Sequence, residues 1–308
     1  MNPHILSKLK KDHNISYLED VLLKKDFFSF YINLNDKEKS FYMISGSPSV
    51  VGLEDKPVYT VLEIVNHIEP DNTFSEIDGK NLYIQKLTYQ IEHLSHELYT
   101  FIPFKNKTHD KPIWLYLKFD KDKKNNLVFG QVLRIYDETP SEIVYYQKTH
   151  QDPLTKLFTR ETLKDHLSKN THQKNAYGMY LDIDGFKQIN DFYGHEEGDQ
   201  FLITLANFFI SRWEHNVIYY RLGGDEFFIY AFEHTKEQII KRAKQLIYDI
   251  EHLNLIAQKH NISVSIGIIE LCADLSEYNK ILDLGDKTMY HAKKQGPGRF
   301  AFYNQSNE

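Results

Sequence analysis

Acidic side chains gather at two places where a turn meets an apolar run. The first is Leu181-Asp182-Ile183-Asp184-Gly185-Phe186-Lys187. Asp182 and Asp184 are two residues apart and so point to the same side of a strand, while Gly185 lets the backbone turn close to a phosphate. Hard carboxylate oxygens beside a phosphate suit Mg²⁺, which binds one or two acids plus substrate oxygens. The second is Arg221-Leu222-Gly223-Gly224-Asp225-Glu226-Phe227, where two glycines make a turn with room for a bulky ligand and two carboxylates follow at its exit. Taken singly, the first also reads as a solvated, inert acidic strand end, and the second reads better as a plain hairpin with acids at its solvent end. What joins them is that both fall at the edges of strands expected to share one sheet, as two-metal phosphoryl-transfer chemistry requires. A third segment, Asn190 to Asp199, pairs an amide with a carboxylate. The amide can donate to a guanine oxygen and the carboxylate can accept from guanine's ring N–H and amino group, a pairing that adenine cannot satisfy. As isolated residues, Asp199 reads as the cap of the helix that follows and Asn190 as the end of the one before.

The elements that must position these residues alternate regularly after Asp152. The pattern predicts helices over Glu161 to Ser168, Asp199 to Trp213 and Ile281 to Gln295, with a strongly amphipathic one carrying Ile239, Ala243, Leu246, Ile250 and Leu253 on one stripe. Strands are expected at Ala176 to Ile183, Val217 to Leu222, Asp225 to Phe232 and Ser263 to Glu270. This is a central sheet with packed helices. The first half differs. Strands at Phe28 to Leu34 and Ser40 to Ile44, helices at Val61 to Ile68 (stopped by Pro70) and Leu82 to Leu94, and a meander at Leu98 to Phe104, Ile113 to Phe119 and Leu127 to Ile135 make a small α+β sensor layout. Ser141 to Gln151 reads as a short linker helix starting from a Ser cap, with Glu142 in its first turn. Its apolar positions are consecutive, which does not support a long coiled coil.

A chain of 308 residues is long enough for two domains. Hydrophobic residues at 41% and charged residues at 26% give a globular balance. The formal net charge of -6 supplies no bulk attraction to nucleic acid. The single Cys272 excludes an intramolecular disulfide and fits a reducing compartment. Charged Lys10, Lys11 and Asp12 interrupt the start before an apolar core develops, and no apolar stretch is long enough to span a bilayer, so a cytoplasmic protein is expected.

From Asp152 to about Tyr303 the chain resembles the GGDEF family of diguanylate cyclases. The likeness rests on Asp152-Pro153-Leu154-Thr155 and Arg160, the Asp182 and Asn190 blocks, the Gly223 to Phe227 signature, Ser265-Ile266-Gly267, and Asp286 to Lys293. It implies an α/β domain of the cyclase and polymerase-palm type that condenses two GTP into cyclic di-GMP and pyrophosphate, working as a homodimer with Mg²⁺, two ions per active site. By that resemblance Asp182, the Ile183 carbonyl, Asp225 and Glu226 hold metal, and Asp225 accepts the proton of the attacking 3′-hydroxyl. Asn190 and Asp199 bind guanine. Gly185 and Phe186 offer backbone N–H groups to the terminal phosphates, Lys187 and Lys293 are cationic contacts, and Asp184 either is structural or supports the metal ligands. The first half, residues 1–140, resembles a PAS sensory domain in element order, in Ile68-Glu69-Pro70-Asp71 and in Arg134 to Thr139. Its sensor ligand is unnamed by any residue; His67, His93 and His96 read as ordinary polar residues rather than haem ligands. Residues 141–151 are the linker and residues 152–308 the GGDEF domain.

The chain departs from the family pattern in three places. Lys156 and Thr159 replace a glycine and an asparagine of the entry motif, expected to matter little because that motif belongs to the linker turn. Gly296-Pro297-Gly298-Arg299 replaces a Gly-Arg-Asn segment whose cation touches phosphate. Glu214-His215-Asn216-Val217 stands where many members carry the Arg-x-x-Asp motif that binds product. The alternative to an active cyclase is a silent GTP-binding module that regulates a partner.

Overall fold

The computed structural model describes residues 27–69, 79–95, 97–105, 112–169, 174–272 and 277–303. His96, Pro70, Asp71 and the chain before residue 27 lie outside the described residues. The chain divides into two compact units between Val144 and Tyr145, within the helix read as a linker.

In the first unit the order is β1 (Phe28–Asn33), β2 (Phe41–Gly46), β3 (Val58–Tyr59), α1 (Val61–His67), α2 (Gly79–Glu92), β4 (Leu98–Phe104), β5 (Ile113–Asp122) and β6 (Leu127–Tyr136). The strands form one antiparallel sheet in the order β3-β2-β1-β6-β5-β4. β3 was not read from the sequence, being only two residues long. β5 runs three residues past Phe119 because its register with β6 continues to Asp122 opposite Leu127. Asp122 then closes the turn by accepting from the Lys124 and Asn125 backbone N–H groups at 3.0 and 3.3 Å.

α1 starts at a capping box in which Thr60 and Glu63 satisfy each other's backbone N–H. It ends before Ile68 because that residue bridges to Phe104 of β4, with Glu69 N–H donating to the Pro103 carbonyl at 3.0 Å. His67 and His93 turn Nδ1 to the carbonyls of Glu63 and Tyr89 in their own helices, at 2.9 and 3.0 Å. Neither lines the apolar pocket that α1, α2 and the sheet enclose around Phe30, Ile64, Leu87 and Leu117.

α3 (Ser141–His150) corrects one detail of the sequence reading. Pro140, not Ser141, supplies the carbonyl that accepts from Ile143 and Val144, at 3.0 and 3.2 Å. Ser141 is therefore the first residue inside the helix, and its hydroxyl turns to Glu142.

The second unit continues with α4 (Arg160–Lys169), β7 (Ala176–Asp184), α5 (Phe186–Tyr193), α6 (His195–Ser211), β8 (Val217–Gly223), β9 (Glu226–Ala231), α7 (Lys236–Glu251), α8 (Leu255–His260), β10 (Ser263–Leu271), α9 (Tyr278–Lys294) and β11 (Phe300–Phe302). The sheet order is β11-β10-β7-β9-β8. β11 pairs with β10 in parallel and every other neighbour pair is antiparallel.

Both faces of this sheet are covered, so its central strands are apolar almost throughout. On one face Met179, Leu181, Ile183, Phe227 and Ile229 pack with Phe201 and Leu205 of α6 and with Ile239 and Leu246 of α7. On the other face Tyr180, Phe228, Tyr230 and Ile269 pack with Leu163 of α4 and Met289 of α9. α9 lies very close to the sheet: a Cβ on Gly267 would stand 2.3 Å from the Gly285 carbonyl and 2.4 Å from the Met289 nitrogen.

α7 ends at Glu251, so Leu253 lies beyond its stripe, partly buried against the same core. α6 begins at His195, four residues before the expected start. The reason is Gly194, whose φ of +88° ends α5 and opens α6 at one corner.

Candidate active site

β7 and β9 bring the two acidic segments together. In their antiparallel register Asp182 stands directly opposite Glu226, and Ile183 N–H donates to the Asp225 carbonyl at 3.3 Å. Directly opposed residues on an antiparallel pair have Cβ atoms about 5 Å apart, so the two carboxylates share one edge of the sheet. Asp225 is not the first residue of the strand, as the sequence suggested. Gly223 pairs with Glu226, leaving Gly224 and Asp225 as the two-residue turn. Gly223 and Gly224 have φ of +150° and +52°, and a Cβ on either would meet nothing within 4 Å. The turn is open, and the glycines are required there by backbone conformation rather than by crowding.

Asp184 shares a side with Asp182 but has a different environment. It is buried, with Ser265 Oγ 2.9 Å from each of its oxygens and Gly298 N–H donating at 3.0 Å. These bonds tie β7, β10 and the segment after α9 together, a structural role. Lys293 of α9 reaches into the pair: its ammonium forms an ion pair with Asp182 and lies 3.7 Å from Asp184. Burial pushes the Asp182 carboxyl above its ordinary range, and the charges of Asp225 and Asp184 add to this while Lys293 opposes it. Burial would lower Lys293, but its bond to Asp182 and the nearby acids carry it upward. A half-buried carboxylate crowded by like charges is a place where a cation is favoured. Among the described residues no three acid, imidazole or thiol side chains converge as a ready-made metal cage.

Gly185 follows Asp184 with φ of +85° and opens α5. At that terminus the N–H groups of Gly185, Phe186 and Lys187 have no side-chain cap. The Phe186 ring is buried, 6.5 Å from that of Phe201, so only its backbone is available to a ligand. The Lys187 side chain is exposed.

Asn190 and Asp199 come from consecutive helices around the Gly194 corner. The Asn190 side chain packs against Gly198, the residue before Asp199: a Cβ there would stand 2.0 Å from Asn190 Oδ1. Asp199 lies exposed in the second turn of α6, so it is not that helix's cap. The capping reading of this residue is thereby removed.

Sequence reading missed how far the entry motif reaches. Asp152 accepts from Thr155 N–H at 2.8 Å and Thr155 Oγ1 at 2.7 Å, and pairs with Arg221 Nη1 at 2.9 Å. Burial opposes the charge on Asp152, yet the Thr155 and Arg221 bonds hold its carboxyl below the ordinary range. Arg221 in turn donates from Nε and Nη2 to the Gly224 carbonyl, at 3.1 and 2.8 Å. The motif expected to serve only the linker turn therefore clamps the glycine turn itself. Within it, Lys156 adopts φ of +61°, the conformation a glycine accepts at no steric cost. Thr159 Oγ1 lies 3.3 Å from Thr162 N–H as its acceptor, and so caps α4 as an asparagine would.

The two remaining departures also have clear environments. Pro297 is exposed, in a shallow pocket with Glu251, His252 and Ser263. Glu214 accepts from Arg242 Nη2 at 2.7 Å, and Arg212 is paired with Asp249 while lying 4.4 Å over the Phe208 ring.

Residues 149–299 match the family model described as diguanylate cyclase, GGDEF domain. This segment carries a GGDEF domain. Over 161 residues it is 33% identical to the bifunctional diguanylate cyclase/cyclic di-GMP phosphodiesterase MucR of Pseudomonas aeruginosa, a match spanning 50% of this chain and 24% of that one. Over 165 residues it is 32% identical to the diguanylate cyclase DgcZ of Escherichia coli, spanning 52% of this chain and 55% of that one. The chain therefore spans between a quarter and about half of these relatives. A solved structure of the coiled coil and GGDEF domain of DgcB from Caulobacter crescentus, in complex with c-di-GMP, is 21% identical with a TM-score of 0.48, covering 53% of this chain and 90% of that one.

The Asn190 and Asp199 geometry gives a test by calorimetry and thermal unfolding. Asp199→Ala should change stability by less than about 0.5 kcal/mol, because no cap is lost, while GTP affinity falls at least tenfold. Gly198→Ala should weaken GTP binding by displacing the Asn190 amide. An Asp199→Ala protein that loses a full cap's worth of stability and keeps its GTP affinity contradicts the assignment.

Proposed function

We propose that this protein is a diguanylate cyclase, condensing two GTP into cyclic di-GMP with release of two pyrophosphates. The observation that carries the reading is the facing of Asp182 and Glu226 across β7 and β9, with the uncapped start of α5 just past one strand and the open glycine turn at the start of the other. In each of two equivalent steps a 3′-hydroxyl of one GTP attacks the α-phosphorus of the other. A P–O bond forms, the bond to the departing pyrophosphate breaks, and the hydroxyl proton passes to Asp225.

Asp182, the Ile183 carbonyl, Asp225 and Glu226 would hold Mg²⁺. The donors are all oxygens, which suits this ion, and it needs only one or two carboxylates because water and phosphate fill the rest of its sphere. When bound, the metal neutralises charge on the α-phosphate and the leaving group. The Gly185 and Phe186 N–H groups and the Lys187 ammonium bind the terminal phosphates. Lys293 keeps the acid cluster partly neutral and is within reach of a phosphate that displaces it from Asp182. Asn190 and Asp199 select guanine.

Each site takes one GTP and the product contains two nucleotides, so catalysis needs two copies of the chain facing each other. The first unit is read as a PAS-like sensor that controls this pairing. Among the described residues no helix is long and apolar enough to cross a membrane. The cytoplasmic location expected from the sequence is part of this reading, since GTP and Mg²⁺ are drawn from that compartment. A silent GTP-binding module is favoured by one observation: Pro297 supplies no cation to phosphate.

Asp225→Asn and Glu226→Gln should each remove synthesis, lowering turnover at least a hundredfold with an unchanged fold by circular dichroism, because charge is lost without a change of volume. Substantial turnover in both variants contradicts the site. Product feedback is a separate matter. Arg242 is held by Glu214 and Arg212 by Asp249, so both arginines beside this stretch are already engaged, and the Glu214 carboxylate repels the product's phosphates. Initial rates at saturating GTP should therefore stay within about twofold of the starting value up to low-micromolar cyclic di-GMP. Strong non-competitive inhibition in that range would reveal a second product site.

A further inference from the structure

β7 carries a third polar side chain on the face that bears Asp182. Tyr180 lies two residues before Asp182, opposite Phe228, which makes it the diagonal neighbour of Glu226 across the strand pair. It is 7% exposed, and its hydroxyl donates to Glu226 Oε1 at 3.0 Å. A tyrosine packed for its ring alone has no need to end on a carboxylate. A Cβ on Gly285 of α9 would stand 3.0 Å from Tyr180 Cβ and 3.2 Å from its Cδ2, so the helix rests directly on the ring through a residue without a side chain. Gly267, beneath Gly285, brings the helix that close. Two glycines thus seat α9 on the sheet, α9 fixes the Tyr180 ring, and the ring aims its hydroxyl at one oxygen of Glu226.

Glu226 needs such a restraint. It stands opposite Asp182, a like charge whose own partner is Lys293, while the Arg160 guanidinium attracts it, so a free Glu226 side chain has competing pulls and no fixed orientation. The hydroxyl engages Oε1 and not Oε2. We propose that Tyr180 is a positioning residue for Glu226, fixing the orientation in which that carboxylate meets the divalent cation and the reacting phosphate. The role rests on the cyclase reading above for its effect on turnover, but the contact itself belongs to the protein alone. Phe keeps the ring that α9 packs against, so the variant loses the hydrogen bond to Glu226 and little else.

The test is Tyr180→Phe in the full chain, with thermal unfolding confirming the fold. Initial rates of cyclic dinucleotide formation should show kcat lower by about tenfold with KM for GTP within about twofold, the signature of a lost orientation rather than a lost binding contact. Mn²⁺ titrated calorimetrically without nucleotide should bind the variant about tenfold more weakly than the parent, a readout that a purely packing role leaves unmoved. In a Glu226→Ala background the Tyr180→Phe change should leave Mn²⁺ affinity unmoved and, in chelator, should hold or raise the unfolding midpoint where it lowers it in the parent, because the buried hydroxyl has already lost its acceptor. Unchanged kcat and Mn²⁺ affinity in Tyr180→Phe would reduce Tyr180 to packing and overturn the proposal. A parent protein that makes no cyclic dinucleotide refutes the cyclase reading instead. The non-additivity of Tyr180→Phe and Glu226→Ala in metal-free unfolding then decides the contact by itself, and additive effects would refute it.

Discussion

The antiparallel pairing of β7 with β9 is the constraint on which the second unit depends. Its register sets Asp182 against Glu226 and ties Ile183 N–H to the Asp225 carbonyl. A slip of one residue would move every side chain of a strand to the opposite face, burying the acids in the cluster around Phe201 and putting Leu181 and Ile183 where the acids now meet Lys293 and Ser265. The acidic edge is therefore specified by the core. Met179, Leu181, Ile183, Phe227 and Ile229 have to face α6 and α7, so Tyr180 and Asp182 have to face α9. Hydrophobic burial, the main force driving folding, here also fixes the site's geometry.

Around that pair the supports are polar and local. Asp184 is held by Ser265 and Gly298, which keeps the end of β7 rigid where the chain turns through Gly185. Arg221 joins the Gly224 carbonyl to Asp152, and Asp152 to Thr155, so the turn carrying Asp225 is braced from the segment that immediately follows α3. Side-chain exposure of 11% for Arg221 and 19% for Asp152 puts this pair in the regime where losing one partner leaves a poorly solvated charge.

Much of this was legible in the sequence, for identifiable reasons. Strand and helix periods are set by burial, and β4 over Leu98–Phe104 and the buried stripe of α7 follow from them directly. Asp182, Glu226 and their shared edge could be read because both stand where apolar runs stop. What was not legible depends on backbone conformation or on contacts distant in sequence. The four-residue error at the start of α6 came from giving Asp199 the cap, when the positive φ of Gly194 sets the corner. β11 was missed because three residues make no period of their own and are ordered only by pairing with β10. The Asp152–Arg221 pair spans 69 positions, and no local pattern announces it. Tyr180 reads in the sequence as one more aromatic of a buried strand; only the Gly285 contact and the bond to Glu226 distinguish it.

The central claim is that the Asp182, Asp225 and Glu226 edge performs chemistry on GTP rather than merely holding it. The direct measurement is incubation of the purified full chain with GTP and Mg²⁺, with the products separated and weighed by mass spectrometry. The account predicts GTP consumption with cyclic di-GMP and pyrophosphate accumulating in a ratio of one to two, following the balance of two phosphodiester bonds formed. Tight GTP binding by calorimetry with no cyclic dinucleotide at any protein concentration would contradict it.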